Sequence, residues 1–562
     1  MNKKIIIIII VFAILNFNKV KLSLLKYEDT SKEITNDLFL SDNLIDKINK
    51  HKSLRDFKIV SSKPVKPIEL PDKNPDNLNL SVSKKGEVIG NYLSPLEIFP
   101  KIYTKIDGIL TFRGDNLRNS INLSVSNIKD KKLNIRWSNK TSNSTWGGGS
   151  GWTGQACVIK WPDEIKKLMN IKGIFKNETT FTEVIYGSLD GKIYFYDLET
   201  GEKSRPSIDI KNPIKGSVAL DPRGYPLLYV GQGIPEKGKF GYRIFNLINQ
   251  KLLYFINGRD PLAYRGWGAF DGSPLINRKT DSMLIGGENG IFYNVKLNTD
   301  FKPLDKTISI KPEILKLRYK IDNNNYQGIE NSIATYKNLC YFADNGGAII
   351  CLDLITMKPK WVWYGKTADD TNASITLEVI NDTPYLYTGT EQDKQGKNGF
   401  TYIRKINGLN GNILWERKFK CLNRVVKDKI TNKIKSSNGG LYATNIIGSK
   451  DISNLVIFTL AGYNHPYKGI MLAIDKSSGK TKWKWEMPYY SWSSPIAFYD
   501  TKDKSYIIQC DFHGNVTLLE GMSGKVLDKI NLGNNIESSP IIYEDKIIVG
   551  VRGNRIYCLD IK

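Results

Sequence analysis

The stretch Glu183-Val-Ile-Tyr-Gly-Ser-Leu-Asp190-Gly191-Lys-Ile-Tyr-Phe-Tyr-Asp197-Leu-Glu-Thr200-Gly201 decides how the rest of this 562-residue chain is read. An apolar run ends at Asp190-Gly191, the pair best suited to a tight turn with positive φ. An alternating run then leaves that turn, which is the pattern of a β-hairpin. The second strand stops at Asp197 and is followed by another glycine turn at Gly201. The frame returns at Ala343-Asp-Asn-Gly346-Gly347-Ala-Ile-Ile-Cys351-Leu-Asp353, around His513-Gly514, and around Gly553 close to the chain's end. Its second half recurs at 406–415 and 472–483, each time ending in Trp.

A third set of matches opens each unit: Gly272-Ser-Pro274, Ser493-Ser-Pro495 and Ser538-Ser-Pro540, with looser versions at Ser217, Ser332 and Ser374. One unit is therefore an opening strand, a middle hairpin and a last strand ending in Trp or another bulky residue. That describes a four-stranded antiparallel blade, and self-similarity at this spacing means a propeller. Eight units are expected, opening near Cys157, Ser217, Ser273, Ser332, Ser374, Leu441, Ser494 and Ser539. The third is irregular after Tyr293, and the fifth and sixth carry long lysine-rich loops. The last unit reaches Lys562 without its outer strand. The missing piece is Lys132-Leu-Asn-Ile-Arg-Trp137, so an N-terminal strand is expected to close an all-β, eight-bladed ring over 132–562 and remove its open sheet edges.

The phrase Asp-Gly-x-Ile-Tyr-x-x-Asp-x-x-Thr-Gly-x-x-x-Trp resembles the pyrroloquinoline-quinone (PQQ)-like repeat. Proteins built from it are similar in fold to quinoprotein alcohol dehydrogenases and to the propeller lipoprotein of the outer-membrane assembly machinery. The resemblance covers roughly residues 133–562 and specifies fold better than function. It implies that Trp137, Trp361, Trp415 and Trp483 dock neighbouring blades. This chain departs from the assembly lipoprotein in having no Cys before Cys157, which removes a lipid-modified cysteine anchor.

Ahead of the ring, Met1-Asn-Lys3-Lys4 and the apolar run at 5–17 read as an export signal, either cleaved or kept as a membrane anchor, over 1–25. The run is short against the ~20 residues of a spanning helix. Residues 26–98 read as a tether, with an amphipathic helix at 33–50 and a proline-punctuated spacer from Ser61. Residues 99–131 read as an extension packing on the propeller. The formal charge of +24 is mostly lysine and suits anionic surfaces. Nucleic acid is not expected, because the chain reads as exported and carries no recognition motif. Of six scattered cysteines, Cys351 and Cys558 occupy the repeat position of Phe195 and read as small core residues, while a disulfide between Cys340 and Cys351 across the Asn345-Gly346 turn is left open.

Catalytic residues are not expected. His51 lies in the tether, His513 at a turn and His465 in a loop, too few and too scattered for a triad or a histidine metal site. The run 147–151 reads as a flexible aromatic loop, and Arg113-Gly-Asp115 as a lone tripeptide without an adhesion role. The candidate site is instead the mouth of the central channel, where residues just before each inner strand converge: Trp152, Gln155, Trp267, Asp271, Glu330, Asn331, Asp370, Asn372, Asn438, Trp492 and Glu537. Aromatic faces beside carboxylates and amides suit a sugar, a planar cofactor or a peptide, and converging carboxylates suit a hard cation. The leading expectation is an exported, membrane-tethered or secreted scaffold without a cofactor, binding envelope proteins or polymers. The alternatives are a PQQ- and Ca-dependent dehydrogenase, implied by the resemblance, and a glycan-binding propeller. Against the dehydrogenase stands the lack of the adjacent-cysteine pair carried by alcohol-oxidising members.

Overall fold

The computed structural model describes residues 66–562, apart from 91, 95, 120–124, 126–127, 150–153, 397 and 428–433. The apolar run at 5–17, the helix expected at 33–50, His51 and Trp152 lie outside the described residues. Eight antiparallel sheets, each built on four strands, follow one another as the blades of a propeller. The opening hairpin forms the middle of blade 1, with Glu183 opposite Asp197 and Gly187 opposite Ile193. Strands Cys157–Ile159 and Ile208–Asp209 complete that blade. Every residue of Glu183–Gly187 is buried, because blades stack on both faces of a middle strand. An outer strand such as Thr481–Met487 carries mostly exposed and half-buried residues instead.

The ring closes as the sequence requires. Arg555–Ile561 pairs with Leu133–Lys140, from Leu133 opposite Ile561 to Lys140 opposite Arg555, with one bulge between Ile135 and Trp137. The repeated phrase supplies the glue between blades. Trp137, Trp361, Trp415 and Trp483 donate their indole N–H to Leu198 O, Gly408 O, Lys476 O and Gly521 O of the next blade, at 2.9, 2.8, 3.0 and 3.1 Å. Each ring lies flat on the glycine that ends the phrase there. At Gly201, Gly411, Gly479 and Gly524, φ is 67–74° and an added Cβ would sit 2.6–2.9 Å from the indole. Glycine is thus needed twice over, for the left-handed turn and for the face it offers the Trp.

The Ser openings also have a physical reason. Gln155 N donates to Ser217 Oγ, Ser273 N to Ser332 Oγ, Ser332 N to Ser374 Oγ, Ser374 N to Thr444 Oγ1, Thr444 N to Ser494 Oγ, and Ser494 N to Ser539 Oγ, all at 2.8–3.2 Å. A belt of hydroxyls thereby links the inner strands around the axis. Inside it runs part of the span expected as an extension packing on the propeller. Residues 108–119 fill the channel, pairing Gly108–Ile109 with the inner strand of blade 1, while Leu110 O, Asn116 O and Leu117 O accept from Leu220 N, Thr335 N and Leu377 N of blades 2, 4 and 5. Arg113 and Arg118, both fully buried, aim their guanidinium groups at inner-strand carbonyls. Arg113 serves Pro495, Thr444 and Asn445; Arg118 serves Ile333, Ser273 and Pro274, and also Phe112. Burial pulls both guanidinium groups down, to about 10, which leaves them charged at neutral pH.

Three irregularities frame this core. Blade 3 inserts a small hairpin, Asp300–Lys302 with Thr307–Ser309, before its outer strand Glu313–Ile321. Strands Leu78–Lys84 and Glu87–Ile89, from the span expected as tether, then extend that blade to six strands. A second hairpin, Arg424–Lys427 with Ile434–Ser437, rises between blades 5 and 6. Register decides the open pairing of Cys340 with Cys351 against a disulfide. Cys340 lies opposite Leu352 and Cys351 opposite Tyr341, so the two side chains point to opposite faces of blade 4 and into different core clusters. All six cysteines are free and buried.

Candidate ligand site at the channel mouth

Two segments of each blade reach the mouth. One precedes the inner strand, and the other is the turn of the middle hairpin. Backbone bonds from Glu288 N to Ala269 O, Asn345 N to Gly328 O, Glu391 N to Asp370 O and Phe512 N to Tyr490 O tie the two together in blades 3, 4, 5 and 7. Their side chains are therefore pooled on one rim.

Blades 3, 4 and 5 make that rim acidic. Asp271, Glu288 and Glu330 bring carboxylate oxygens within 4.8 Å of one another. The Lys215 ammonium, from the connection between blades 1 and 2, touches Asp271 and lies 3.7 Å from Glu330 Oε1 and 4.0 Å from Glu288 Oε1. On the far side of Glu330, Asn345 Nδ2 donates to Glu330 Oε2 at 2.9 Å and to Asp370 Oδ1 at 3.2 Å. Asn372 Nδ2 donates to Glu391 Oε1. Beneath the cluster is a small cavity walled by Asp271, Glu330, Asn331, Asn372 and the belt hydroxyls Ser217, Ser332 and Ser374, with Phe112 of the channel segment also lining it.

Five carboxylates in one cluster, with the Lys215 ammonium beside three of them, cannot all ionise cheaply. Burial and then the charge of Glu330 drive Asp370 and Glu288 well above the usual carboxylate range. Glu391 is pushed up by burial and by Asp370. Asp271 is raised by burial, with Lys215 opposing. Burial works against the Lys215 ammonium, but Asp271, Glu288 and Glu330 outweigh it and hold that group well above its usual value.

The other expected residues divide by role. Gln155 accepts from Arg113 N at 2.9 Å and donates to Pro540 O, so it holds the channel segment. Asn331 bridges Ala343 O and Thr371 O, at 2.7 and 2.9 Å, between blades 4 and 5. Asn438 donates to Asp393 at 2.8 Å on the rim, and Glu537 pairs with Asn535 and Arg552. Trp267 packs edge-on against Phe240. Trp492 belongs to an aromatic shelf, 4.9 Å from Tyr442 and 5.9 Å from Tyr490, which stacks on Phe512 at 4.5 Å. Arg424 of the second inserted hairpin covers Tyr490 and Phe512 at 5.1 and 4.8 Å, a pair of cation–π contacts.

Lys215, Glu288, Asn345 and Glu391 were missed from sequence. A signal existed: Glu288, Asn345 and Phe512 each stand two residues before a turn glycine (Gly290, Gly347 and Gly514), the place of Leu189 in the opening phrase. The repeat thus marked a rim position in blades 3, 4 and 7 that was read as turn alone, whereas Glu391 of blade 5 is followed two residues on by Asp393 and carries no such mark.

No protein-family model matches this chain. Over 85 residues it is 32% identical to the human beta-alanine-activating enzyme, a match covering 15% of this chain and 8% of that protein. The match spans less than a tenth of its curated relatives' length, here and in the mouse protein. Among solved structures it is similar to the quinohemoprotein alcohol dehydrogenase of Comamonas testosteroni, with a TM-score of 0.53 and 13% identity over 81% of this chain and 80% of that one. The quinohemoprotein alcohol dehydrogenase ADHIIG of Pseudomonas putida HK5 gives a TM-score of 0.52 at 11% identity, with the same coverage. At such identity the likeness is one of fold.

Proposed function

We propose that this protein is a non-catalytic, extracytoplasmic binding propeller whose acidic mouth docks a cationic group of an envelope protein or polymer. The observation that carries this reading is the charge at the mouth. On a chain of formal charge +24, three carboxylates gather around Lys215 and two more, Asp370 and Glu391, continue the cluster, beside an aromatic shelf that already holds Arg424 in cis. Glu330, Asp370 and Glu391 meet amide donors from Asn345 and Asn372, which a ligand ammonium or guanidinium can replace with charge. The apolar N-terminal run supports placement outside the cytoplasm.

The same donor set is a poor match for PQQ, the cofactor that the fold resemblance implies. That quinone is a polycarboxylate, and at this mouth it would face carboxylates rather than a cationic cradle. Among the described residues the cavity's aromatic wall is Phe112, with no Trp lining it, and no cysteine has a cysteine neighbour in sequence. The residues present do not fit it, so no oxidation step is derived.

The test uses the full chain. Oligolysine and oligoarginine peptides are titrated calorimetrically against native protein and the D370N/E391Q variant, in parallel with PQQ plus Ca²⁺ and a dye-linked alcohol oxidation assay. Saturable, salt-sensitive peptide binding that weakens at least tenfold in the variant is expected, with both cofactor assays silent. Cofactor uptake with turnover, or equal peptide binding by the variant, refutes the reading.

A further inference from the structure

We infer that Lys215 is a built-in cation standing where three acidic ligands would otherwise hold a divalent metal. Asp271, Glu288 and Glu330 are, among the described residues, the group with metal-ligand spacing, and the ammonium sits beside all three, touching Asp271 and lying 3.7 Å from Glu330 Oε1 and 4.0 Å from Glu288 Oε1. Hard divalent cations take such carboxylate oxygens, and an ammonium competes for the same place as a monovalent substitute. Under the dehydrogenase alternative the cation beside the cofactor is Ca²⁺; this chain supplies its cation covalently.

The neighbourhood is shaped for that side chain. At Gly233 an added Cβ would lie 2.1 Å from Lys215 Cδ and 2.6 Å from Asp271 Oδ1, so the missing side chain leaves the path along which the lysine stem reaches the acids. At Gly216, directly after the lysine, a Cβ would lie 1.8 Å from Asp271 O, so the backbone at Lys215 is pressed against the acid-bearing segment of blade 3. Ser217, one residue on, accepts from Gln155 N in the hydroxyl belt and fixes the stem's origin. Two glycines and an anchored serine thus aim one long side chain at one cluster. This inference holds whichever ligand the mouth takes, because it concerns only which cation the three acids keep.

Two measurements on the full chain decide it. Native protein, freed of metal by chelation, is titrated with Ca²⁺ calorimetrically and melted in Ca²⁺ and in chelator. No saturable uptake at millimolar Ca²⁺ and a superimposable melt are expected. The K215M variant, which keeps the apolar stem and loses the charge, is then expected to melt lower in chelator and to recover in millimolar Ca²⁺. A further E288Q change should cut that Ca²⁺ affinity at least tenfold. Saturable Ca²⁺ binding by the native chain overturns the inference even if K215M does not fold. A folded K215M that ignores Ca²⁺ overturns it as well. Peptide docking measured on the same native protein separates this outcome from failure of the docking reading.

Discussion

Replacing Arg118 by Ala tests whether the channel segment holds the ring together. Its guanidinium makes bonds of 2.7–2.8 Å to Ile333 O, Phe112 O, Ser273 O and Thr111 Oγ1, with none of its surface exposed. Truncation leaves these acceptors without their donor in a channel too tight for full rehydration. A hydrogen bond from a charged donor is worth about 1.5–3 kcal/mol net, and an orphaned buried acceptor costs about 1–3 kcal/mol. Allowing for water entering the vacated volume, we expect a loss of about 4 kcal/mol, in the range of a broken buried network. With a melting entropy of about 2 cal/mol/K per residue over roughly 430 propeller residues, that loss lowers Tm by about 4–5 °C if the ring melts as one unit. Calorimetry of native, R118A, R118K and the exposed-site control R417A measures it. R118K should recover less than half, because an ammonium cannot span carbonyls from two blades and the segment itself. A Tm for R118A within about 1 °C of native, or full rescue by lysine, refutes the reasoning.

Stability should also fall as pH rises from about 4 to about 7. Burial raises Asp115 to about 6 and Asp344 to about 7, so the folded chain binds protons that the unfolded chain has already released. Their contribution is complete in acid and lost through those values; urea unfolding between pH 5 and 8 should show a flatter slope in D115N, whose amide oxygen still accepts from Leu117 and Asn119. G524A, which forces a Cβ at φ 69° into the Trp483 ring, should cost about 2 kcal/mol, and G524A/W483A should cost less than the two single losses added, as read in a double-mutant cycle. In blade 1, Glu183 meets Arg205 with both side chains fully buried, so R205M should cost about 3–5 kcal/mol by stranding a carboxylate; chemical denaturation checks it.

The blade count, the closing strand and the docking tryptophans were legible in sequence because each rests on a local pattern repeated at nearly fixed spacing. Asp197-Leu-Glu-Thr200-Gly201 announces its turn wherever it stands. The mouth was half legible. Asp271, Glu330 and Asn372 each stand two residues before an opening Ser (Ser273, Ser332 and Ser374), and that offset is regular; Asp370 lies just ahead of Asn372 in the same segment. Lys215 was not, since nothing local distinguishes one lysine in a lysine-rich chain, and its role depends on glycines at 216 and 233 that make room. The channel segment stayed hidden for a related reason. Arg113 and Arg118 look like surface residues until inner strands from several blades surround them, and burial of that kind has no signature in a short window. The Cys340–Cys351 pairing stayed open in sequence because facing across a turn does not fix register, where one residue reverses the side of the sheet.

The pairing of Leu133–Lys140 with Arg555–Ile561 also sets the order of events in folding. Closing a loop of more than four hundred residues comes late, since the entropy of bringing such distant ends together is met before any contact forms. Until then blade 8 offers an open strand, and the early-made segment carrying Trp137 waits without its partner. A chain delivered N-terminus first therefore spends its assembly with a bare sheet edge at each end. The vulnerable period ends when the last seven-residue strand arrives, so truncations or stalls that remove it should yield aggregates rather than a seven-bladed product.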